Sequence, residues 1–192
     1  KNTGTASFIA ANQSLVEGSE NADADAAYKN GNGNCNSLVF PPNANMYGKS
    51  YSRWSAAWWK WAMEFPIAGH PFVDDPGFNV SARQSGQVWF IATPTPGTPV
   101  VRNVTIPSGK ALLVGTLNAE VSNLEDPPFY GATAAEQAAG AIDFADHISD
   151  LFFTLDGKTL NLNSYRFTSP QYDFIAPSPW IFGAASGPGK SV

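Results

Sequence analysis

Glu120, with Glu125-Asp126 in the loop beyond it, offers the most distinctive chemistry in this 192-residue chain. Glu120 ends the apolar run Ala111 to Val121, and Asn118, two positions earlier, shares its face of an extended strand. A carboxylate on an inward face needs a partner, because an unpaired buried charge is costly. Arg53, Lys60 and Arg83 are the cations available to it. The favoured reading is a buried ion pair that fixes an aromatic helix on a sheet. The rival is a ligand site built from Glu120, Asn118, Trp59 and Trp89. Paired carboxylates would suit a glycosidase if they faced each other across roughly 5–10 Å of a cleft lined by aromatic rings.

Metal and nucleophile chemistry find less support. Asp143 and His147 stand four apart on a helical pattern, with Glu120 or His70 as a third donor, but a solvated helix face explains them as well. No metal site and no cofactor are therefore expected. Oxygen-rich stretches at Glu20–Asp25 and Asn30–Asn36 lack the spacing and terminal Glu of a calcium loop. Cys35, the single cysteine, lies in a polar run and rules out an intrachain disulfide. No G-x-S-x-G elbow occurs. Ala184 to Ser191 satisfies a loose phosphate-loop pattern, yet no helix has room to follow it, so nucleotide binding is not expected.

The elements that would position these residues are legible in part. Trp54, Trp58, Trp59 and Trp61 are four of the six tryptophans, within eight positions. Trp54, Trp58, Trp61 and Phe65 form one helical stripe, with only Arg53, Lys60 and Glu64 as a polar strip. Such a helix must be covered on most sides, begins at Ser50 or Ser52, and stops before Pro66. Thr133-Ala134-Ala135-Glu136 is a capping box opening a second, amphipathic helix to about Ser149, with Ala138, Ala141, Ile142, Ala145 and Phe152 as its inner stripe. Short strands are expected at Gln87–Ala92, at Val100–Ile106 hairpinned to Ala111–Val121, at Leu151–Leu155 hairpinned to Lys158–Leu162, and at Tyr165–Phe167 and Tyr172–Ile175. The fold class this predicts is mainly β: an antiparallel β-sandwich or jelly-roll-like domain with a buried Trp-rich helix and a second amphipathic helix. The division runs as a polar N-terminal extension (1–45), one domain (46–182) and a flexible tail (183–192).

Several stretches resemble a family of uncharacterised exported bacterial β-sandwich proteins. They are Tyr47-Gly48-Lys49-Ser50-Tyr51 leading into the Trp helix, Ser85 to Phe90, Ile106 to Leu112, Leu117 to Glu120, and Leu155 to Lys158. The resemblance implies a fold type and export, and no activity. It also implies a further aromatic hairpin near the C-terminus where this chain reads Gly187 to Val192, so the sheet is expected to lack a strand or to borrow one.

Composition narrows the function classes. Hydrophobic residues make up 43% and charged residues 14%, with a net charge of −5 and a pI near 4.8. Scattered Lys and Arg disfavour nucleic acid, which needs clustered cations. No run of about 18 apolar residues exists, so no transmembrane helix is expected. The low charge and a start at Lys1 suggest a processed, secreted or cell-surface protein. The function expected first is a non-catalytic extracellular structural protein that self-associates or packs with a partner through its N-terminal extension, anchored by Phe8-Ile9-Ala10 and Leu38-Val39-Phe40. The alternatives are a glycan- or small-ligand-binding module using exposed Trp59, Trp89 or Trp180, and a carboxylate- or metal-dependent hydrolase.

Overall fold

The aromatic spacing is realised as helix α1, Tyr51–Met63, in a computed structural model. The structure describes the backbone of 7–11 and residues 39–73, 79, 81–92, 106–148, 153–183 and 185–192. Ser50 stands at the N-cap in an extended conformation, and its carbonyl takes the Trp54 N–H at 2.9 Å. All six tryptophans are buried. Four indoles spend their N–H groups on backbone carbonyls. Trp54 Nε1 reaches Met46 O at 2.9 Å, Trp58 Nε1 reaches Ile91 O at 3.2 Å, and Trp61 Nε1 reaches Ala82 O at 3.3 Å. Trp180 Nε1 reaches Met63 O at 2.8 Å, satisfying an orphan carbonyl at the C-terminal end of α1. Each such bond lets a large ring enter the core without an unpaired donor and ties a loop, or at Ile91 the strand Val88–Ala92, to the helix.

Strand β1, Ser7–Ala11, pairs antiparallel with β3, Ala111–Gly115, and β2, Val88–Ala92, pairs parallel with β3 on its other side. β4, Phe153–Leu155, and β5, Lys158–Leu160, form a hairpin. Its turn, Asp156-Gly157, has φ of 48° and 76°, the left-handed pair that Asp-Gly supplies. β6, Tyr172–Ala176, pairs antiparallel with β7, Gly187–Ser191. Helix α2, Ala134–Asp146, follows the Thr133 capping box, and a 3₁₀ turn covers Leu162–Tyr165.

The expectation of a β-sandwich or jelly roll does not hold. Among the described residues there is no barrel or sandwich, only three small sheets in the orders β1-β3-β2, β4-β5 and β6-β7, with helix and strand content about equal. The physical reason lies in α1. It packs on β6, β1 and β3 at once and takes the place a second sheet would fill. With strands of only three to five residues, no sheet offers a face long enough for another. The expected Val100–Ile106 arm falls almost entirely outside the described residues. Ala111–Gly115 pairs instead with the chain's own Ser7–Ala11, which places the backbone of Phe8-Ile9-Ala10 in the first sheet.

The segment 183–192, read from sequence as a flexible tail, contributes β7. Gly187, Gly189 and Ser191 turn inward while Pro188 and Lys190 face solvent. A Cβ on Gly189 would lie 2.6 Å from Phe174 Cζ and 2.7 Å from Leu124 Cδ1, so only glycine lets the strands approach there. Tyr165–Phe167, expected as a strand, is the end of the 3₁₀ turn and the extended segment after it. Sheet edges are closed by side chains. Gln84 acts as a peptide mimic on β2, with Nε2 to Phe90 O at 2.7 Å and Oε1 from Phe90 N at 2.9 Å. Lys60 and Glu64 do the same for β6 at Asp173 O and Ile175 N. No helix among the described residues is long and apolar enough to cross a membrane.

Candidate functional site

The loop that leaves β3 returns along the free edge of β7. Asn123 N donates to Lys190 O at 3.0 Å, Lys190 N to Asn123 Oδ1 at 2.8 Å, and Val192 N to Val121 O at 3.3 Å. Ser122 is bridged both to Ser191 and to Tyr130. Alternation along this short ladder points Ser191 inward and Lys190 outward, where Lys190 pairs with Asp173. The inward side chains meet Glu120 and Glu125.

These two acids are 5% and 7% exposed, and their carboxyl groups are hydrogen-bonded to each other. Ser191 Oγ donates to Glu120 Oε2 at 2.7 Å and lies 3.0 Å from Val121 O; Ser122 Oγ donates to Glu125 Oε2 at 2.8 Å. Tyr172 Oη is buried beside Ser191 without a hydrogen bond of standard geometry. Gln137, fully buried on α2, closes the far side, with Nε2 to Gly131 O at 2.8 Å and Lys190 O at 3.1 Å, and Oε1 from Gln171 at 2.9 Å.

Burial pushes the Glu120 carboxyl well above the ordinary range, and the neighbouring Glu125 pushes it the same way. Burial also raises Glu125, against the hydrogen bonds from Glu120 and Ser122, which favour its charged form. Two carboxyls bonded to one another need a proton between them, so the deeper Glu120 holds it and donates to Glu125. Glu120's partners are therefore a second acid and a serine, and the expected buried ion pair does not form. Lys60 Nζ binds Glu64 at 2.7 Å and Asp173 O at 2.8 Å, Arg83 binds Glu64 O at 2.6 Å and lies over the Phe65 ring, and Arg53 is exposed.

The other anticipated site residues lie apart. Asn118 turns toward Gly115 and Trp58, with its Oδ1 buried and unpaired. Trp59 borders a cavity of about 40 Å³ with Ser55, Arg166 and Ser169. Trp89 is 8% exposed on β2. Asp143 and His147 are exposed, and His147 Nδ1 is 2.7 Å from the Asp143 backbone carbonyl, as a helix C-cap. Cys35 and the two oxygen-rich stretches at 20–25 and 30–36 lie outside the described residues. Among the described residues, no group of three His, Cys, Asp or Glu side chains is placed to hold a metal ion.

His70 is a second buried titratable group. It is wholly enclosed by Phe65, Phe72 and Phe182, and its Nδ1 accepts the Phe72 N–H at 3.1 Å. The proton of the neutral ring then sits on Nε2. Burial lowers its pKa to about 4, so the ring stays neutral over most of the pH range.

Ser122, Ser191, Tyr172 and Gln137 were not anticipated. The one signal for Ser191 is the small-in, large-out alternation of Gly187 to Ser191, which a glycine-rich composition hides. Gln137 is a polar residue at the buried centre of α2, where apolar periodicity points to Ala138 and Ile142; Ile142 is 41% exposed. The chain matches no protein-family model, no curated protein and no solved structure.

Proposed function

We propose that this chain is a non-catalytic structural protein of the cell exterior, built to pack with copies of itself or with a partner chain. The observation that carries this reading is the sealing of the Glu120–Glu125 cluster. Among the described residues, the densest group of chemically capable side chains is closed to solvent and spent on joining β7 to the loop 120–131 and to α2. Catalysis by a carboxylate pair requires that substrate reach it, and sugar recognition by tryptophan requires an exposed ring; the arrangement lends support to neither. Among the described residues, the loop after Asp126 offers a partner two exposed aromatic rings. There Phe129 is 44% and Tyr130 51% exposed, with the Phe129 ring 5.0 Å from that of Phe144.

Size-exclusion chromatography with light scattering on the full chain tests this. The wild type should run above the mass of one chain, and a Phe129→Ser/Tyr130→Ser variant should run as a single chain with an unchanged circular dichroism spectrum. A wild type that stays a single chain at high concentration, alone and with extracts of its source surface, refutes the assembly reading.

A further inference from the structure

Nothing in a structural role requires two acids to be buried against each other with no cation. The described segments packed on the pair bring it neutral or acidic side chains. The acids' own loop offers Ser122 and the exposed Asp126. β7 offers Ser191, while its Lys190 ammonium turns outward to Asp173. β6 offers Tyr172, and α2 offers the neutral amide of Gln137. Among the described residues no positive charge faces the carboxyls, so a proton is what allows them to touch.

We infer that Glu120 and Glu125 form a proton-held latch that closes β7 onto the loop 120–125 while the pair shares a proton and loosens that strand as the pair ionises. This goes beyond the structural role and stands or falls apart from the assembly reading. The geometry supplies the coupling. Ser191, on β7, is bonded to Glu120, and Ser122, on the loop, is bonded to Glu125, so the shared proton joins the two segments side chain to side chain. The same segments are zipped by three backbone bonds, from the Val121, Asn123 and Val192 amides, and by the Lys190 N–H to the Asn123 side chain, all of which open together if the strand leaves. In the open form both acids reach water and ionise at their ordinary values, so raising the pH draws the equilibrium toward release. His70 titrates the opposite way at lower pH and is neutral above about 6.5, which leaves the range above that to the pair.

Hydrogen exchange of the full chain from pH 6.5 upward provides the test, read as protection factors so that the intrinsic pH dependence of exchange is removed. Protection at the Val121, Asn123, Lys190 and Val192 amides should fall about tenfold per pH unit until the pair ionises and then level off, while α1 amides keep theirs. Glu120→Gln, a neutral mimic of the protonated acid, should hold those amides at their pH 6.5 protection at every pH, whereas Glu125→Gln, which leaves Glu120 buried, should keep the slope and level off at a lower pH. Infrared spectroscopy of the wild type gives a readout that needs no variant to fold: a protonated carboxyl band should persist at pH 7. Protection independent of pH in the wild type, or absence of that band, overturns the latch.

Discussion

Trp58→Ala is the perturbation from which most can be worked out. Trp58 is 0% exposed, with ring centroids 5.0 Å from Trp59, 6.3 Å from Trp61 and 5.8 Å from Phe72. Its edge lies over Gly115, where a Cβ would come within 2.5 Å of Cζ2, so backbone as well as side chains forms its socket. Truncating a large aromatic in such a site costs about 3–5 kcal/mol, because rigid neighbours and backbone cannot collapse into the space. The same change orphans Ile91 O, which adds about 1 kcal/mol. A loss of about 4–6 kcal/mol should lower the melting temperature by about 10–20 °C in a chain of this size. Because that consumes much of a typical domain's total stability, Trp58→Phe serves as the graded companion; it keeps a ring but loses the indole donor, and should cost about 1–3 kcal/mol. Calorimetry and urea titration of both variants provide the assay. A melting temperature within about 2 °C of wild type for Trp58→Ala would refute the socket and put the tryptophan stripe on the surface.

Gly189→Ala should destabilise the β6–β7 hairpin by about 1–3 kcal/mol, since the new methyl meets Phe174 and Leu124, and a lowered urea midpoint with earlier exchange of hairpin amides would show it. His70 should contribute about 3 kcal/mol of acid sensitivity. Its folded pKa is depressed, so the stability it supports is full above about 6.5 and is lost as pH falls toward 4. The difference in unfolding free energy between wild type and His70→Phe, measured from pH 7 to 4, should follow that curve; a flat difference would mean the ring is accessible to water.

Local signals in the sequence carried through where one short motif determines the geometry. The tryptophan spacing yields α1, the Thr133–Glu136 box yields α2, and Asp156-Gly157 yields the β4–β5 turn. The sheet arrangement was not legible because it depends on distant pairings. β3 takes its partners from Ser7–Ala11 and Val88–Ala92, and nothing in Ala111–Gly115 distinguishes a parallel neighbour from an antiparallel one. Glu120 announced itself as a buried acid among apolar residues, and Glu125 was visible as a second carboxyl. Their mutual contact was not, since a cation was the more economical partner on sequence grounds and the serines that replace it lie 2 and 71 positions from Glu120.

The central claim is that this chain turns its aromatic and acidic chemistry inward. Iodide quenching of tryptophan fluorescence tests it most directly, because the charged quencher reaches only indoles at the surface. The account predicts blue-shifted emission in the native protein, little changed by iodide, with all six tryptophans becoming quenchable only on unfolding in denaturant. Red-shifted native emission with a substantial iodide-accessible fraction would contradict it and make the tryptophans a binding face.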